Sequence, residues 1–282
     1  MEPASHPTTK GRLEETFDRL RAAQPRRRRA LVVYLCVGDP SAEESVALAC
    51  AAVDAGADIL ELGVPFSDPT ADGPSIARAS QRAIARGGGL VPTLRVAAAV
   101  RARKPETPIV LFGYYNPIFV HGEARVVAEA AGSVDALLVV DLPVEESVAL
   151  RTLAAARGIR VVPLLTPTSS ESRVEAVRRA HASNPVGFAY YVSVAGVTGA
   201  AAAPLTDASA HAARLHDALG VPVVVGVGID SADKARAAGA QADGVVVGTA
   251  IVRRIEESKT PEARRAAVVA LVAELRAGLD SL

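Results

Sequence analysis

The sequence predicts a single α/β domain folded as a closed (β/α)8 TIM barrel. Three observations predict it: a length of 282 residues, the alternation of short Val/Leu/Ile runs with Ala-rich segments, and a count of eight such units. Barrels of this kind typically run to roughly 250 residues as one domain. Alternating strands and helices indicate a parallel sheet, and eight repeats favour its closure.

Eight predicted strands and one additional helix account for most of the chain. The strands are expected at about 31–36, 58–62, 108–112, 136–140, 160–164, 187–191, 222–225 and 244–247, with an extra N-terminal helix at about 13–23. Ser41 ahead of Glu44, and Ser231 ahead of Asp233 or Lys234, predict helix starts, because a serine hydroxyl accepts the free N–H groups of a first turn. We expect a polar tail over 1–10 and a catalytic barrel over 11–282.

The composition indicates which residue types form the core and which classes of partner are disfavoured. Half the residues are hydrophobic but only 4% are aromatic, which favours a core of Ala, Val and Leu between strands covered on both faces. Thirty-one basic residues balance 31 acidic ones, so no global field attracts nucleic acid or a membrane surface. The basic run Arg26 to Arg29 is interpreted as a solvated turn.

The expected compartment is the cytoplasm. Cys36 and Cys50 are the only cysteines, too few for a disulfide scaffold, which favours a reducing environment. The first ten residues contain no apolar segment of the kind found in secretory signals. No stretch of 18 uninterrupted apolar residues predicts a membrane span.

Glu61 is the first candidate for chemistry. It interrupts an apolar strand in phase with Ile59, and one face of that strand points into the barrel. A buried carboxylate is costly unless it is paired or used. Glu61 is therefore either a structural acid bonded to backbone or a general acid/base whose pKa is raised by apolar surroundings.

The loop 63–73 follows Glu61 and carries two prolines together with Asp68 and Asp72. The C-terminal ends of barrel strands form the active face, so this loop is expected over the mouth. Asp72 either caps the next helix, since Asp is a favoured N-cap, or accepts a hydrogen bond inside the pocket.

Glycine-rich segments follow the last three predicted strands, at 196–199, 226–228 and 248–249. Glycine lets backbone N–H groups approach a phosphate, and the loops after strands seven and eight commonly bind phosphate in barrels. Three such loops favour a phosphate-bearing substrate. Gly226-Val-Gly228 lacks the third glycine of a dinucleotide motif, because Ser231 stands in its place.

Tyr190 at the end of strand six shares phase with Phe188, so it faces the barrel if Phe188 does. It is either a core aromatic or a catalytic group. Absent residues narrow the chemistry: no lysine lies in or at the end of a predicted strand, which disfavours a Schiff base, and no His and carboxylate cluster predicts a metal. Cleavage by carboxylates without a metal remains.

Several segments together resemble the α subunit family of tryptophan synthase. They are 61–69, 71–74, 38–40, 113–117, 141–143, 190–193, 196–199, 226–229 and 248–251, in family order from about Leu13 to the last helix. The resemblance implies the lyase reaction of tryptophan biosynthesis that cleaves indole-3-glycerol phosphate into indole and glyceraldehyde 3-phosphate.

The resemblance also implies a role for individual residues. Glu61 would protonate the indole ring and could deprotonate the side-chain hydroxyl, Asp72 would accept the indole N–H, and Tyr190 would support Glu61 and the substrate. The phosphate would be held by Gly199, Gly228, Gly248 and Thr249, and Thr198 would bond Asp72 when the loops close.

A protein partner is implied as well. The resemblance places Pro65, Asp68 and Asn116 against a β subunit, in an α2β2 heterotetramer in which indole passes to that subunit. No cofactor is expected in this chain, and pyridoxal phosphate is expected only in the β subunit. Departures from the usual family residues fall at Cys36, Thr70, Val227 and Thr249, and the first three bear on the indole pocket and loop closure.

Two alternatives remain. Another phosphate-binding barrel, such as a phosphosugar isomerase or indole-glycerol-phosphate synthase, would share the fold, although the synthase needs a strand-end lysine. The second alternative is a degenerate α subunit that only activates its β partner. The presence of Glu61, Asp72 and Tyr190 argues against this alternative.

Overall fold

The computed structural model describes residues 10–192, 204–226 and 228–282, in which parallel strands alternate with helices. The strands are β1 (Ala30–Cys36), β2 (Ile59–Gly63), β3 (Ile109–Gly113), β4 (Ala136–Val139), β5 (Arg160–Val161), β6 (Leu164–Leu165), β7 (Ala189–Val192), β8 (Val223–Gly226) and β9 (Gly244–Val247). Their order is β5-β4-β3-β2-β1-β9-β8-β7-β6, and every pairing is parallel.

The helices fill the intervals between the strands, as the alternation predicted. The described helices are α1 (Arg12–Ala22), α2 (Ala42–Asp54), α3 (Pro74–Ile84), α4 (Leu90–Arg103), α5 (Tyr115–His121), α6 (Glu123–Ala130), α7 (Val148–Ala155), α8 (Glu171–Ser183), α9 (Leu205–Leu219), α10 (Ala232–Gly239), α11 (Thr249–Glu257) and α12 (Pro261–Asp280). Two predicted caps are confirmed, since Ser41 accepts from the Glu44 N–H and Ser231 from the Lys234 N–H. None of these helices has the length and apolar character needed to cross a bilayer.

The fifth predicted strand is divided, and the division is where the barrel closes. Only Val162 and Pro163 separate β5 from β6, and β5 pairs with β4 whereas β6 pairs with β7. Proline has no N–H to donate to a neighbouring strand. The Val162 N–H still donates to the Leu137 carbonyl at 2.9 Å, and the Pro163 carbonyl accepts from the Tyr190 N–H at 2.9 Å. Nine short strands thus make the predicted eight-unit barrel.

The predicted extra helix closes the N-terminal end of the barrel. Leu13, Phe17 and Leu20 lie on one face of α1 and pack among the inward side chains of the strands. The Phe17 ring lies 5.8 Å from that of Phe188. Ile59 belongs to the same inward group, which places its face of β2 inside the barrel.

A repeated carboxylate also holds this end together. Asp58, Asp135 and Asp243 each stand just before a strand, and each accepts the backbone N–H of a residue on or entering the adjacent strand. The accepted groups are those of Leu31, Ile109 and Val223, and the paired arginines are Arg276, then Arg12 and Arg101, then Arg27. These charge-assisted hydrogen bonds fix the register of neighbouring strands and stabilise the end of the barrel opposite the predicted mouth.

The basic run is more than the solvated turn that we predicted. Arg27 pairs with Asp243, and Arg28 makes two 3.0 Å hydrogen bonds to Asp280 at the end of α12. Arg29 donates to the carbonyls of Gly239 and Ala240. The run therefore fastens the start of β1 to α10 and α12, a contact between distant segments that local sequence does not reveal.

Candidate active site

Glu61 lies inside the barrel near the C-terminal end of β2. Its phase with Ile59 turns it inward, and it is 1% exposed. The Oε1 atom is buried with no hydrogen-bond partner among the described residues. Burial in these apolar surroundings raises the pKa of the carboxyl to about 8. The side chain is thus mostly a neutral acid at pH 7, which favours the acid/base interpretation over a structural acid satisfied at both oxygens.

Two tyrosines face the same interior. Tyr190 lies inward with Phe188, as its phase predicted, whereas Tyr191 packs in the helix layer. Tyr34 on β1 is the register partner of Glu61, and its ring meets Phe112 edge-on at 5.4 Å. Burial raises the pKa of the Tyr34 and Tyr190 hydroxyls, and the nearby Glu61 raises both further. Both phenols therefore stay neutral and able to donate a hydrogen bond.

Sequence reasoning missed Tyr34. The available signal was its position two residues after Val32, because residues two apart on a strand share a face and Val32 points inward. The sequence did not show that Glu61 would lie directly beside Tyr34.

Two strand-end glycines make room for the inward tyrosines. A Cβ atom at Gly63 would collide with the Tyr34 hydroxyl, and one at Gly226 with the Tyr190 hydroxyl. Gly226, which was grouped with the phosphate glycines, thus also serves to seat Tyr190.

Asp72 is not the helix cap. Helix α3 begins at Pro74 and its N-cap is Gly73, so the capping interpretation of Asp72 is wrong. Burial raises the pKa of the Asp72 carboxyl to about 6, and a hydrogen bond with the Tyr114 hydroxyl opposes that rise. Asp72 is therefore ionised at neutral pH in a partly buried position, where a carboxylate can stabilise positive charge.

Tyr114 holds the loop that carries Asp72, and sequence reasoning did not single it out. It follows β3 and is buried. Its hydroxyl accepts the Ala71 N–H at 3.0 Å, and its ring lies 5.2 Å from that of Phe66. The loop 63–73 is thereby tied to the neighbouring strand at both of its ends, which places Asp72 over the mouth.

Of the glycines predicted to bind phosphate, Gly228 and Gly248 lie among the described residues. Gly228 has φ +44°, and a Cβ there would point into open space. Gly248 is the N-cap of α11 and offers no side-chain cap, so the first N–H groups of this helix, beginning at Thr249, remain for an anion. The predicted ligands Thr198 and Gly199, and Val227, which departs from the usual family residue, lie outside the described residues.

The predicted partner residues differ in exposure. Asp68 and Asn116 are exposed, but Pro65 is buried, so a contact of its side chain with another protein stays a prediction. Next to Asn116 on α5, Phe119 is 66% exposed and Val120 is 77% exposed. Exposed apolar side chains of this size beside polar ones are typical of a protein interface.

The described residues contain no group of three or more His, Cys, Asp and Glu side chains arranged to hold a metal ion. The four lysines all lie outside the barrel interior. Lys10, Lys104 and Lys234 pair with Asp18, Asp54 and Asp230, and Lys259 is exposed. A Schiff base inside the mouth therefore has no lysine to form it.

Comparison with known proteins gives one consistent result. A family model described as tryptophan synthase alpha chain matches residues 20–279. The tryptophan synthase alpha chain of Geobacter sulfurreducens is 46% identical over 255 residues, which cover 90% of this chain and 94% of that one. That of Xanthomonas axonopodis pv. citri is 44% identical over 271 residues, or 95% and 98% of the two chains.

Solved structures agree with the sequences. Tryptophan synthase subunit alpha from Legionella pneumophila str. Paris superposes with a TM-score of 0.86 at 32% identity, covering 97% of this chain and all of that one. An open form of tryptophan synthase from M. tuberculosis gives 0.82 at 31% identity, covering 96% and 99%. The barrel described above is therefore shared with these proteins over nearly its whole length.

Proposed function

We propose that Glu61 and Asp72 carry out the cleavage of indole-3-glycerol phosphate in this chain, which belongs to the tryptophan synthase alpha chain family. The family's lyase reaction releases indole and glyceraldehyde 3-phosphate in tryptophan biosynthesis, and the indole passes to the β subunit. The observation that carries the residue assignment is the buried Glu61 carboxyl, whose pKa of about 8 keeps a proton available at neutral pH.

The proton transfers balance on one residue. Glu61 donates its proton to the ring carbon that bears the glycerol phosphate chain, which makes the ring an electron-poor iminium. The carboxylate that forms then accepts the proton of the side-chain hydroxyl, while the electrons of the carbon–carbon bond move into the ring. The aldehyde leaves, neutral indole remains, and Glu61 is again an acid. The burial that raises its pKa also makes the transient carboxylate a strong base.

Asp72 supplies the opposing charge. The iminium carries positive charge toward the ring nitrogen, and an ionised carboxylate that accepts the indole N–H stabilises this charge more in the transition state than in the substrate. The Tyr114 hydroxyl and the Ala71 N–H hold the segment around Asp72 in place. The same support keeps the carboxylate from turning toward solvent.

The remaining groups bind and orient the substrate. The neutral Tyr190 hydroxyl supports Glu61 and the substrate, and Tyr34 lies beside Glu61 on the neighbouring strand. The phosphate binds at Gly228, at the N-terminus of α11 with Gly248 and Thr249, and at Gly199. Thr198 bonds Asp72 on closure.

The partner is a tryptophan synthase β subunit, in an α2β2 complex. Asp68, Asn116 and the exposed Phe119 and Val120 supply a mixed polar and apolar surface for it, with Pro65 shaping the adjoining loop. This chain carries no cofactor of its own, and pyridoxal phosphate belongs to the β subunit. Residues 11–282 serve as one cytoplasmic catalytic domain.

The assay that tests this proposal is indole release from indole-3-glycerol phosphate by the isolated chain, with and without added β subunit. Slow release alone and faster release with the β subunit are expected. A chain that raises β-subunit activity but releases no indole would instead be the degenerate activator.

A further inference from the structure

A cavity of about 360 Å³ lies beside the mouth of the barrel and contains none of the residues assigned above to catalysis or phosphate binding. It is bounded by the loop after β4, by α7, by the divided strand at Pro163 and by the turn that leads into α8. Its volume falls within the range of small-molecule sites, roughly 300–1,000 Å³.

The cavity lies at the break in the fifth strand. The pairing between β4 and β5 ends at Leu137 and Val161. The N–H of the next residue, Val162, donates the last hydrogen bond, to the Leu137 carbonyl. Pro163 then offers no donor, and β6 pairs only with β7. Beyond Pro163 no pairing to β4 continues, and the cavity there is lined by side chains from the inward group, such as Leu164, and from the helix layer, such as Val177.

An arginine without a partner lines this opening. Arg151 lies on the first turn of α7, and its Nε and Nη1 atoms are buried with no hydrogen-bond acceptor among the described residues. Burial lowers the pKa of the guanidinium, a sign that it is desolvated without compensation. Arg151 is half-buried as a whole, and desolvating its Nε and Nη1 atoms is costly unless an anion completes them.

Two carboxylates in or beside the cavity wall are already engaged. Asp141 accepts the Tyr115 N–H at 2.7 Å, and Glu145 pairs with Arg173 at 3.0 Å. The hydroxyls of Thr166, Thr168, Ser169 and Ser170 lie on the same rim as possible donors to an oxygen ligand. Val139, Leu142, Val161 and Val177 form an apolar wall.

We infer that this cavity is a second ligand site, which binds a small organic anion through Arg151. The guanidinium fits a carboxylate or a phosphate, since its N–H donors match two oxygens of either group. The apolar wall fits a compact hydrocarbon body attached to that anion. The site is separate from the phosphate site at α11, which lies on the opposite arc of the barrel, after β8 and β9.

The first test is calorimetric titration at constant ionic strength, with 3-methylbutanoate as the carboxylate probe and inorganic phosphate as the other. The substrate phosphate site is kept filled with a non-cleavable indole-alkyl phosphate. Saturable binding is expected to the wild-type chain, at least tenfold weaker binding to Arg151→Gln, and partial retention in Arg151→Lys. Arg157→Gln is the matched control, because Arg157 is exposed just beyond the same helix and lies outside the cavity.

A stability measurement separates a ligand site from a structural arginine. Arg151→Met removes a desolvated charge and keeps an apolar stem, so the unliganded variant is expected to melt at a temperature no lower than the wild type. A structural arginine would make Arg151→Met melt several degrees lower. That result, or equal anion binding by Arg151→Gln and the wild type, or no saturable binding of either probe, would overturn the inference. Indole release by Arg151→Gln is expected to match the wild type without added anion, so failure here is distinct from failure of the catalytic assignment.

Discussion

Replacing Glu61 with glutamine should remove catalysis and at the same time stabilise the fold. Glutamine keeps the size of the protonated carboxyl but has no proton to transfer. General acid/base assistance is worth on the order of 10²-fold or more in rate, so kcat should fall by at least about that factor while substrate binding changes little. The measurement is indole release with the β subunit present, together with the affinity for a non-cleavable substrate analogue.

The gain in stability follows from the pKa. In the unfolded chain Glu61 ionises near its ordinary value of 4.5, whereas in the folded chain it holds its proton up to about pH 8. Below pH 4.5 both states are protonated and the residue has no pH-dependent effect. Between pH 4.5 and 8 the unfolded state has fewer protons, so the free energy of unfolding falls by about 1.4 kcal/mol per pH unit. Above pH 8 both states are ionised and the loss is constant.

At pH 7 this loss amounts to roughly 3 kcal/mol, and glutamine, which does not titrate, avoids it. Urea unfolding of the wild type and of Glu61→Gln across pH 4.5 to 8.5 should therefore give two curves that separate steadily, with the variant above. Glu262→Gln is the control, because Glu262 is exposed on α12 and should leave both activity and the pH profile near those of the wild type.

Two results would refute this reasoning. A Glu61→Gln chain that retains most of its turnover would remove Glu61 from the proton transfer. Parallel stability curves would mean that Glu61 ionises normally in the folded chain. Another residue would then have to donate the proton to the indole ring.

The remaining predictions concern the second carboxylate, the pH profile and the partner. Asp72→Asn should lower kcat less than the Glu61 substitution does, because an amide oxygen still accepts the indole N–H without full charge; unchanged kinetics would show that Asp72 takes no part. The kcat/KM profile should rise as Asp72 ionises near pH 6 and fall as Glu61 ionises near pH 8, and a flat profile from 5 to 9 would contradict both assignments. The double variant Phe119→Asp, Val120→Asp should bind the β subunit at least tenfold more weakly in sedimentation or calorimetry. The melting temperature of the isolated chain should not change. Unchanged affinity would show that these two residues are not part of the interface.

The barrel was predictable because its signals are local. A run of Val, Leu and Ile followed by a capped, Ala-rich segment predicts one strand and one helix wherever it occurs, and eight such units have few other ways to bury both faces of a parallel sheet. That Glu61 shares a face with Ile59 followed in the same way, because side chains alternate along a strand. The structure showed that this shared face is the inner one.

The tertiary structure decided which side chains meet. Tyr34 stands beside Glu61 only because β1 pairs with β2 in one register, and Tyr114 reaches the Asp72 loop from the neighbouring strand. Asp72 had two local interpretations, and the start of α3 after Gly73 left only one. The exposure of Phe119 similarly depends on what the rest of the chain covers.

What the sequence determined by itself is the set of strand and helix units and the face on which each chemical group lies, because these depend on backbone periods and on the neighbours of each residue along the chain. What only the tertiary structure decided is the break at Pro163, the unpaired Arg151 behind it and the burial that raises the pKa of Glu61 to about 8. The break and the unpaired Arg151 depend on how β5 and β6 pair with their neighbouring strands, and the burial of Glu61 depends on closure of the sheet, which excludes water from the barrel interior.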